Sequence, residues 1–527
     1  MKKPKLITFI AILTFLNFST VFSQSLFQFK LSENISKVSL YPVEDKGILI
    51  FEMLYVSKKN QELKITLLNN VYEQKWTKKF EHIGFTLDRI KLSEDKKKVF
   101  ASFFSDSKKN QWSHRVLYNE KLRIVAINLE DGTNEIMDAE IPSNATLQDF
   151  GSTDEMIYAH FSDKGTFKNK AYAIVKSLQT KQNHVVELGE DITLIDYIGC
   201  YTTNNDGSIY TMLSYKDKAK DFIGCEIDQI KVDGQLTKIS KTALSEEKEW
   251  PFDCVAFHVE NSIRLFGYDM LNSAMTMDMI EPASSFALLK LENNKVSSFV
   301  TTGFGDLKHP MISINENVLT GFIESKIKEN KAKKGKLDQA FNIVSHPTIK
   351  SGDLYYSFFE SYAPIYDITT SKSPSGMSSS QTKKYSESFF PHLQVACFDA
   401  EGNLKWDNNC KLKKFTREKG NANSTWQVNE DGTVSAVTHT NNYQIFLYKA
   451  KNGNTVKEEK STFRDILNES EWKDMVGGSS IILSGSQYSF SVVAIPFNTD
   501  DSNWKVCYFA QKDKKSPYYL VFKPYKF

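Results

Sequence analysis

The side chains that could perform chemistry in this sequence are scattered rather than grouped into a known catalytic motif. The chain has 9 histidines among 527 residues, and none stands in a His-Glu-x-x-His arrangement. No Cys-x-x-Cys or His-x-His spacing is present to begin a zinc site. A Gly-x-Ser-x-Gly nucleophile turn and a phosphate-binding glycine loop are missing as well. We therefore expect no cofactor, and the sequence names no catalytic residue.

Three alternating methionines form a candidate metal site. Met275, Met277 and Met279 are two residues apart, so on a strand their thioethers would lie on one face. Thioether sulfur is a soft ligand that suits Cu(I). The alternative is packing against a neighbouring sheet, since Met commonly fills irregular apolar gaps. Packing is the favoured interpretation, and Cu(I) remains the alternative.

Four tyrosines form a candidate ligand-binding surface. Tyr355, Tyr356, Tyr362 and Tyr366 lie in a strand-forming run, and the sequence on both sides is rich in Ser and Lys. Aromatic rings provide stacking surfaces for sugars and peptides, although most Tyr side chains in β proteins pack in the core. Long loops on a rigid β scaffold often carry binding function. We predict that a projecting hairpin at residues 340–392 contacts a partner through these rings.

Composition and patterning indicate that a β-rich globular fold positions these residues. Apolar residues make up 41% of the chain, aromatic residues 13%, and 66 Lys+Arg balance 64 Asp+Glu. Balanced charge argues against a nucleic-acid partner, which would favour a basic surplus. Runs of β-branched and aromatic residues recur, and many end in Asp-Gly or Asn-Gly. These pairs are typical of type I′ hairpin turns, in which both central residues need positive φ.

The spacing of the hairpins predicts an all-β fold, a single β-propeller with long inter-strand loops. About eight strand clusters follow one another, and we expect about seven blades, with a range of about six to eight. Serial β-sandwich domains would also give many short strands and are the alternative. A membrane barrel is less suitable, because Lys523 and Pro524 interrupt the alternating aromatic residues near the end of the chain.

One segment resembles a known repeat. Residues 392–398 form a strand-like run, Ala400-Glu401-Gly402-Asn403 follows as a turn, and the next run reaches Trp406. This order is similar to the outer hairpin of quinoprotein-type and related β-propeller blades. Residues 71–76 resemble its second half less closely. The resemblance covers residues 392–406 and implies the propeller architecture, without implying a cofactor.

The first 23 residues have the three-part pattern of a secretory signal peptide. Basic residues at positions 2, 3 and 5 precede an apolar stretch at 6–16, which is too short to cross a bilayer as a helix. We expect cleavage before Gln24 and a propeller formed by residues 24–527. The expected location is the periplasm, the outer surface or the medium. No later apolar run is long enough for a transmembrane helix.

The cysteines are expected to be free thiols. Six in this chain are sparse, and a chain of this size can bury a core without disulfides. Cys200 and Cys225 each follow Ile-Gly, and these two segments could be the first and third strands of one meander, with one strand between them. Strands lie about 4.8 Å apart, so these two residues would be roughly 10 Å apart, beyond disulfide reach.

These observations favour an exported, non-enzymatic binding or scaffold protein of the bacterial envelope or exterior. Its expected partner is an envelope or extracellular protein, a peptide or a glycan. The alternative is an exported hydrolase or lyase whose acids and histidines converge on the propeller channel.

Overall fold

The computed structural model describes the chain in segments separated by gaps. These are residues 27–43, 46–55, 61–81, 85–93, 96–105, 121–141, 145–164, 169–202, 207–217, 222–245, 250–270, 283–309, 342–372, 379–412, 416–417, 424–439, 444–471, 473, 493–496, 504–510 and 518–525. For some strand residues, including 363–372 and 379–389, only the backbone is described. Among the described residues, no helix has the length and hydrophobicity needed to cross a membrane.

Eight antiparallel sheets, called blades 1 to 8, make up the described fold. Strand β1 (Phe27–Lys30) comes first in the chain and is followed by blades 1 to 4. Blade 1 contains β2 (Ile35–Val43), β3 (Gly47–Tyr55), β4 (Gln61–Leu68) and β5 (Gln74–Glu81), and blade 2 contains β6 (Phe85–Leu92), β7 (Lys98–Ser105), β8 (Lys121–Asn128) and β9 (Asn134–Glu140). Blade 3 contains β10 (Thr146–Ser152), β11 (Met156–Lys164), β12 (Asn169–Ser177) and β13 (Asn183–Leu188), and blade 4 contains β14 (Thr193–Thr202), β15 (Ile209–Asp217), β16 (Phe222–Ile230) and β17 (Leu236–Ser245).

The second half of the chain repeats this arrangement. Blade 5 contains β18 (Trp250–Val259), β19 (Ser262–Met270), β20 (Ala283–Glu292) and β21 (Lys295–Gly303). Blade 6 contains β22 (Asn342–Ser351), β23 (Leu354–Lys372), β24 (Ser379–Phe398), β25 (Leu404–Lys411) and the short β26 (Thr416–Arg417). Blade 7 contains β27 (Thr425–Val428), β28 (Val434–His439), β29 (Gln444–Lys451) and β30 (Asn454–Thr462), and blade 8 contains β31 (Val493–Pro496), β32 (Trp504–Ala510) and β33 (Tyr519–Tyr525). A 3₁₀ turn (Phe304–Asp306) and a short helix, α1 (Phe463–Ile466), lie between blades.

Strand β1 completes blade 8 and closes the ring. The strand order in that blade is β1-β33-β32-β31, so the N-terminal strand forms the outer edge of a sheet built from the C-terminal strands. Strand β31 in turn contacts β2 of blade 1 and β27 of blade 7. The fold is therefore a closed β-propeller of eight blades, at the upper end of the predicted range, and not a series of sandwiches.

The hydrophobic core lies between neighbouring blades. Each of seven buried apolar clusters combines side chains from two consecutive blades, including the junction of blades 8 and 1. The second strand of a blade is covered on both faces, and eight of the nine residues of β3 are buried. Both faces of such a strand must be apolar, which explains the continuous hydrophobic runs that the sequence repeats.

The Asp-Gly turns differ from the predicted type I′ geometry. In Asp131-Gly132 only the glycine has positive φ (70°), and the Asp131 carboxylate accepts the Thr133 N–H at 2.9 Å. A side-chain hydrogen bond of this kind replaces the second positive φ, since Asp mimics a backbone turn. Both residues of Asn452-Gly453 have positive φ, as the prediction requires.

The turn of one blade packs on the outer strand of the blade before it. Trp76 of blade 1 donates its indole N–H to the Leu129 carbonyl of blade 2 at 3.1 Å. A Cβ on Gly132 would lie 2.7 Å from Trp76 Cδ2. Trp406 of blade 6 meets Gly453 of blade 7 in the same manner. The tryptophans noted in the sequence therefore fix the angle between consecutive blades.

The variant Gly132→Ala is expected to lose about 2 to 4 kcal/mol of unfolding free energy, because Ala at positive φ costs about 1–2 kcal/mol and must also displace Trp76. Gly352→Ala is the matched control. Gly352 has a φ of 59°, but a Cβ there meets nothing within 4 Å. Denaturant unfolding of both variants separates the two costs, and equal losses would contradict the packing role of Trp76.

Candidate functional site

A β-bulge recurs in the first strand of successive blades. These strands form the inner edges of the sheets and line the central channel. The pairing register shifts between Leu87 and Arg89, between Leu147 and Asp149, between Leu194 and Asp196, and between Phe252 and Val255. A bulge redirects a side chain and is common near functional sites. A charged residue stands in or directly beside each of these bulges of blades 2 to 5, namely Arg89, Asp149, Asp196 and Asp253.

Buried serines on the second strands hold two of these bulges. Ser102 accepts the Arg89 N–H at 3.2 Å and donates to Asp88 Oδ2 at 3.1 Å. Ser214 accepts the Asp196 N–H at 3.0 Å and donates to the Asp196 carbonyl at 3.1 Å. Both serines are fully buried. The bulges are therefore ordered by specific hydrogen bonds, which keeps their charged side chains in place.

Charged side chains join the inner strands of blades 2 and 3. Lys91 Nζ lies 2.5 Å from Asp149 Oδ1, and solvent reaches 45% of the lysine side chain and 21% of the aspartate. Burial lowers the pKa of Lys91, but the Asp149 carboxylate raises it, and on balance the pKa of Lys91 lies above its ordinary value. Burial alone would raise the pKa of Asp149, but Lys91 and the Cys200 thiol hold it below its ordinary value. Asp149 is thus ionised at neutral pH.

The Arg89 guanidinium connects the same two blades. It donates to the Leu147 carbonyl at 2.7 Å and the Gln148 carbonyl at 3.1 Å, and its Nε donates to Asp88 Oδ2 at 3.1 Å. All three nitrogens of the guanidinium group therefore donate a hydrogen bond. Arg89 is therefore fixed at the channel wall rather than free to swing.

Contacts between inner strands continue through blades 4 and 5. The Cys200 thiol of blade 4 donates to Asp149 Oδ2 of blade 3 at 3.2 Å. Burial, and then the negative charge of Asp149, raises the pKa of Cys200 to about 12. The thiol therefore stays protonated and is no nucleophile at neutral pH. Strand β14 of blade 4 also contacts β18 of blade 5, which carries Asp253.

Asp253 combines backbone strain with a raised pKa. Its φ is 49°, in the left-handed region that few non-glycine residues adopt. Ser345 of blade 6 donates to Asp253 Oδ2 at 2.5 Å. Burial raises the pKa of Asp253, and the Ser345 hydrogen bond and the positive charge of Arg89 offset only part of that rise. Solvent nevertheless reaches the side chain, as expected for a group enclosed by a channel.

We call Arg89, Lys91, Asp149, Asp196 and Asp253 the charged arc. Its members come from the first strands of four consecutive blades. They influence one another, since Arg89, Asp149 and Asp196 all contribute to the pKa of Asp253. Acids thus converge on the channel, which is the arrangement on which the enzyme alternative depends. Among the residues described, no group of three or more His, Cys, Asp or Glu side chains is placed to hold a metal ion.

A serine, a histidine and a glutamate also meet between blades 6 and 7. Glu360 Oε1 accepts the Ser424 N–H at 3.0 Å and the Ser424 hydroxyl at 2.6 Å, and lies 3.0 Å from His346 Nε2. The Ser424 hydroxyl is 2.9 Å from the same Nε2. In a catalytic triad the serine and the acid contact opposite nitrogens of the imidazole. This trio, called the blade 6–7 latch, therefore cannot relay a proton along a triad and instead joins two blades.

A pair of buried carboxylates lies away from the channel, on the third strand of blade 4. Glu226 and Asp228 are two residues apart on β16, and Lys241 Nζ is 3.5 Å from Glu226 Oε2. Asp228 is 0% exposed, and its oxygens accept no hydrogen bond from the part of the chain that is described. Burial, and then the Glu226 charge, raises the pKa of Asp228 to about 7.

Asp228 is expected to make the protein less stable as pH rises. The folded state keeps a proton on Asp228 that the unfolded chain loses near its ordinary pKa, so stability falls from about pH 4 to about pH 7. Asp228→Asn removes this titration. Its stability relative to the unchanged protein is expected to increase by on the order of 2 kcal/mol between about pH 4 and about pH 8, measured by urea unfolding. Asp154→Asn, at an exposed turn, is the control. A pH-independent difference would contradict the prediction.

The four predicted tyrosines have different environments. Tyr355 and Tyr356 are each 1% exposed. The Tyr355 ring stacks on Phe266 of blade 5 with centroids 4.4 Å apart, and Tyr356 packs on Trp406. Tyr362 is partly buried, and the side chain of Tyr366 lies outside the described part. Two of the rings are thus enclosed by neighbouring blades, and a ligand-binding role for the four stays a prediction.

The predicted hairpin is an extension of blade 6. Strands β23 and β24 have 19 and 20 residues, and their pairing continues to Lys372 and Ser379. Pairing with β22 and β25 ends at Tyr362 and His392, so residues 363–372 and 379–389 extend beyond the four-stranded sheet. The segment 392–406 is the outer hairpin of the same blade, which confirms the propeller part of the resemblance.

The remaining sequence predictions divide into two groups. Cys200 and Cys225 lie on the first and third strands of blade 4, as expected, and both are free thiols. Cys254, Cys397 and Cys410 are also free. Met275, Met277 and Met279 lie outside the described residues, so the choice between Cu(I) and packing stays a prediction.

The comparisons with known proteins show weak similarities to propeller structures. No protein-family model matches the chain, and no curated protein matches it. The chain is similar to the β-propeller domain of the Trilobed protease from Pyrococcus furiosus, with TM-score 0.33 and 11% identity over 81% of this chain and 99% of that one. It is similar to the polysaccharide lyase Uly1, with TM-score 0.36 and 9% identity over 83% and 89% of the two chains.

A third solved structure comes from a different class of protein. The chain is similar to the WD40 domain of SCAP from fission yeast, with TM-score 0.36 and 9% identity over 95% of this chain and 98% of that one. Enzymes and a WD40 domain are thus both among the similar structures. The chain is an eight-bladed β-propeller by its own strand topology.

Proposed function

We propose that this chain is an exported β-propeller that binds a polar ligand at the charged arc of its channel. The ligand belongs to an envelope or extracellular protein, a peptide or a glycan. The observation that carries the proposal is the charged arc itself. Enclosing charged groups costs free energy, whereas the apolar clusters between blades already hold the ring together. Ordered bulges that keep Arg89, Lys91 and Asp253 accessible to solvent are better explained by ligand recognition.

The test is a binding screen with residues 24–527. Peptide and glycan panels are probed with the unchanged protein and with an Arg89→Ala/Lys91→Ala variant. We expect at least one ligand whose affinity falls about tenfold or more in the variant, or about 1.4 kcal/mol. A third protein lacking residues 367–388 tests the hairpin separately. Failure to find a ligand, or equal affinity in the channel variant, would overturn the proposal.

Export rests on the pattern in residues 1–23 and has its own test. The full chain and a chain starting at Gln24 are produced in a bacterium with two membranes, and the compartments are separated. We expect the full chain outside the cytoplasm with Gln24 as its first residue. Retention of residues 1–23 in the product would contradict a cleaved signal peptide.

A second candidate function is an exported hydrolase or lyase. It is favoured by two opposite pKa shifts, since the pKa of Asp149 is lowered and the pKa of Asp253 is raised. Carboxyl groups with separated pKa values provide a base and an acid at one pH. Product release by members of the same panels, lost in Asp253→Asn while binding persists, would select this alternative.

A further inference from the structure

We infer that the outer edge of blade 5 pairs with the same edge of a second copy of this chain, so that two propellers form a twofold-symmetric dimer. The edge is strand β21, the outermost strand of the sheet in blade 5. It lies at the rim of the propeller and is a different surface from the ligand site in the channel. Three observations support this pairing: the exposure of the strand, its uncharged middle and the opposite charges at its two ends.

The outer edge of β21 is open to solvent. Its pairing with β20 is regular from Ser298 to Gly303, and no other described strand pairs with it. Ser298, Val300 and Thr301 are exposed, and Val300 is an exposed large apolar side chain on this strand. The side that faces away from β20 therefore presents backbone N–H and C=O groups to which another strand can be added.

Strand β21 lacks the features that keep the other outer strands apart from one another. Proteins protect such edges with charged residues, with Pro or by making the strand short. Strands β5, β9, β17, β25 and β30 each carry at least two charged residues, and β13 and β1 have only 6 and 4 residues. The segment from Ser298 to Gly303 has no charged residue and no Pro. It is therefore the outer edge best suited to pairing.

The charged residues at the two ends of β21 are complementary when two copies meet. Lys295 begins the strand and Asp306 follows it in the 3₁₀ turn. Both are exposed, and neither forms an ion pair with another described residue. In an antiparallel pair with its twofold axis between Val300 and Thr301, Lys295 of one copy lies level with Asp306 of the other. Symmetry repeats this contact at the other end of the pair.

The middle of this pair consists of residues that favour strands. Val300 of one copy lies opposite Thr301 of the other, and Phe299 lies opposite Thr302. Cross-strand pairs of β-branched and aromatic residues stabilise antiparallel strands. The two blades then form one continuous sheet across both copies. A single strand pair buries less surface than an obligate dimer needs, so we expect a reversible dimer.

The experiment is analytical ultracentrifugation of residues 24–527 over concentrations of about 1 to 200 µM. We expect the weight-average mass to rise from that of the monomer towards twice that value. Val300→Lys brings a lysine from each copy close to the twofold axis and should weaken association about tenfold or more. Val456→Lys is the matched control, because it changes an exposed valine on the outer strand of blade 7, and it should leave association unchanged.

Exchange of the terminal charges tests the register of the pair. Lys295→Asp and Asp306→Lys should each weaken association about two- to tenfold at low salt, because like charges then face each other. The double variant Lys295→Asp/Asp306→Lys should restore it. A chain that stays monomeric at every concentration would overturn the inference, as would a dimer that Val300→Lys and the charge variants leave unchanged. Assemblies larger than a dimer would overturn it as well, since a twofold edge pair is closed.

Discussion

A chain that begins at Leu31 is expected to unfold at a markedly lower denaturant concentration than a chain that begins at Gln24, because it lacks β1. The loss includes the pairing of β1 with β33 and the contacts of two partly buried phenylalanines. Phe27 stacks on Tyr72 of blade 1 with ring centroids 4.7 Å apart. At about 1.5 kcal/mol for each phenylalanine, plus the ladder hydrogen bonds, we expect a loss of about 4 to 6 kcal/mol.

A synthetic peptide of residues 24–31 should reverse part of this loss when added to the shortened chain. The unpaired edge of β33 can accept an added strand, as exposed edges commonly do. The control peptide has Ser in place of Phe27 and Phe29. We expect a concentration-dependent rise in the unfolding midpoint with the first peptide only. A shortened chain that is as stable as the longer one would show that β1 does not seal the ring.

Glu360→Ala is expected to destabilise the protein by about 3 to 4 kcal/mol, the largest effect of a single substitution at the blade 6–7 latch. Glu360 is 0% exposed and accepts both the N–H and the hydroxyl of Ser424. Removing the carboxylate leaves the Ser424 N–H without its acceptor and leaves the Ser424 hydroxyl and His346 with only each other, at about 1–3 kcal/mol for each buried group that loses its acceptor. Some of this cost is recovered if water enters the space.

Glu360→Gln is the matched control because it keeps the size and one carbonyl acceptor. We expect it to lose about half as much unfolding free energy as Glu360→Ala, measured by denaturant unfolding at neutral pH. Hydrogen exchange in β27 and β28 should accelerate in the alanine variant, since Ser424 directly precedes β27. If both variants unfold like the unchanged protein, the trio does not hold blades 6 and 7 together.

The architecture was predictable because each blade is local in sequence. Strands of one blade follow one another and pair through short turns, as in β8 and β9 around Gly132. The alternation of apolar and polar residues, the turn residues and the apolar runs of one blade all lie within a segment of about 60 residues. These patterns therefore mark where one blade ends and the next begins. The outer hairpin at Trp406 was recognisable for the same reason. The turn geometry was only partly predictable, because the Asp131 side chain replaces one positive φ.

The candidate site was not predictable because its residues are distant in sequence. Ser424 lies 64 positions from Glu360, and Lys91 lies 58 positions from Asp149. Only the packing of consecutive blades brings them together. A weak signal exists, since an aspartate stands two residues after a leucine early in two first strands, in Leu147-Gln148-Asp149 and Leu194-Ile195-Asp196. Aligning the strand clusters would have shown it. The burial of Tyr355 was not predictable from the sequence either, because it depends on a strand inside a propeller being covered on both faces.

The pairing of β1 with β33 determines how the ring would respond to mechanical tension. Phe27 lies opposite Phe522 and Lys30 opposite Tyr519, so the start of one strand is beside the end of the other. A pull on the two ends of the chain loads this antiparallel ladder at one end, and its hydrogen bonds would break one after another rather than together. A protein tethered at both ends would therefore open first at blade 8, at low force, while blades 2 to 7 remain folded.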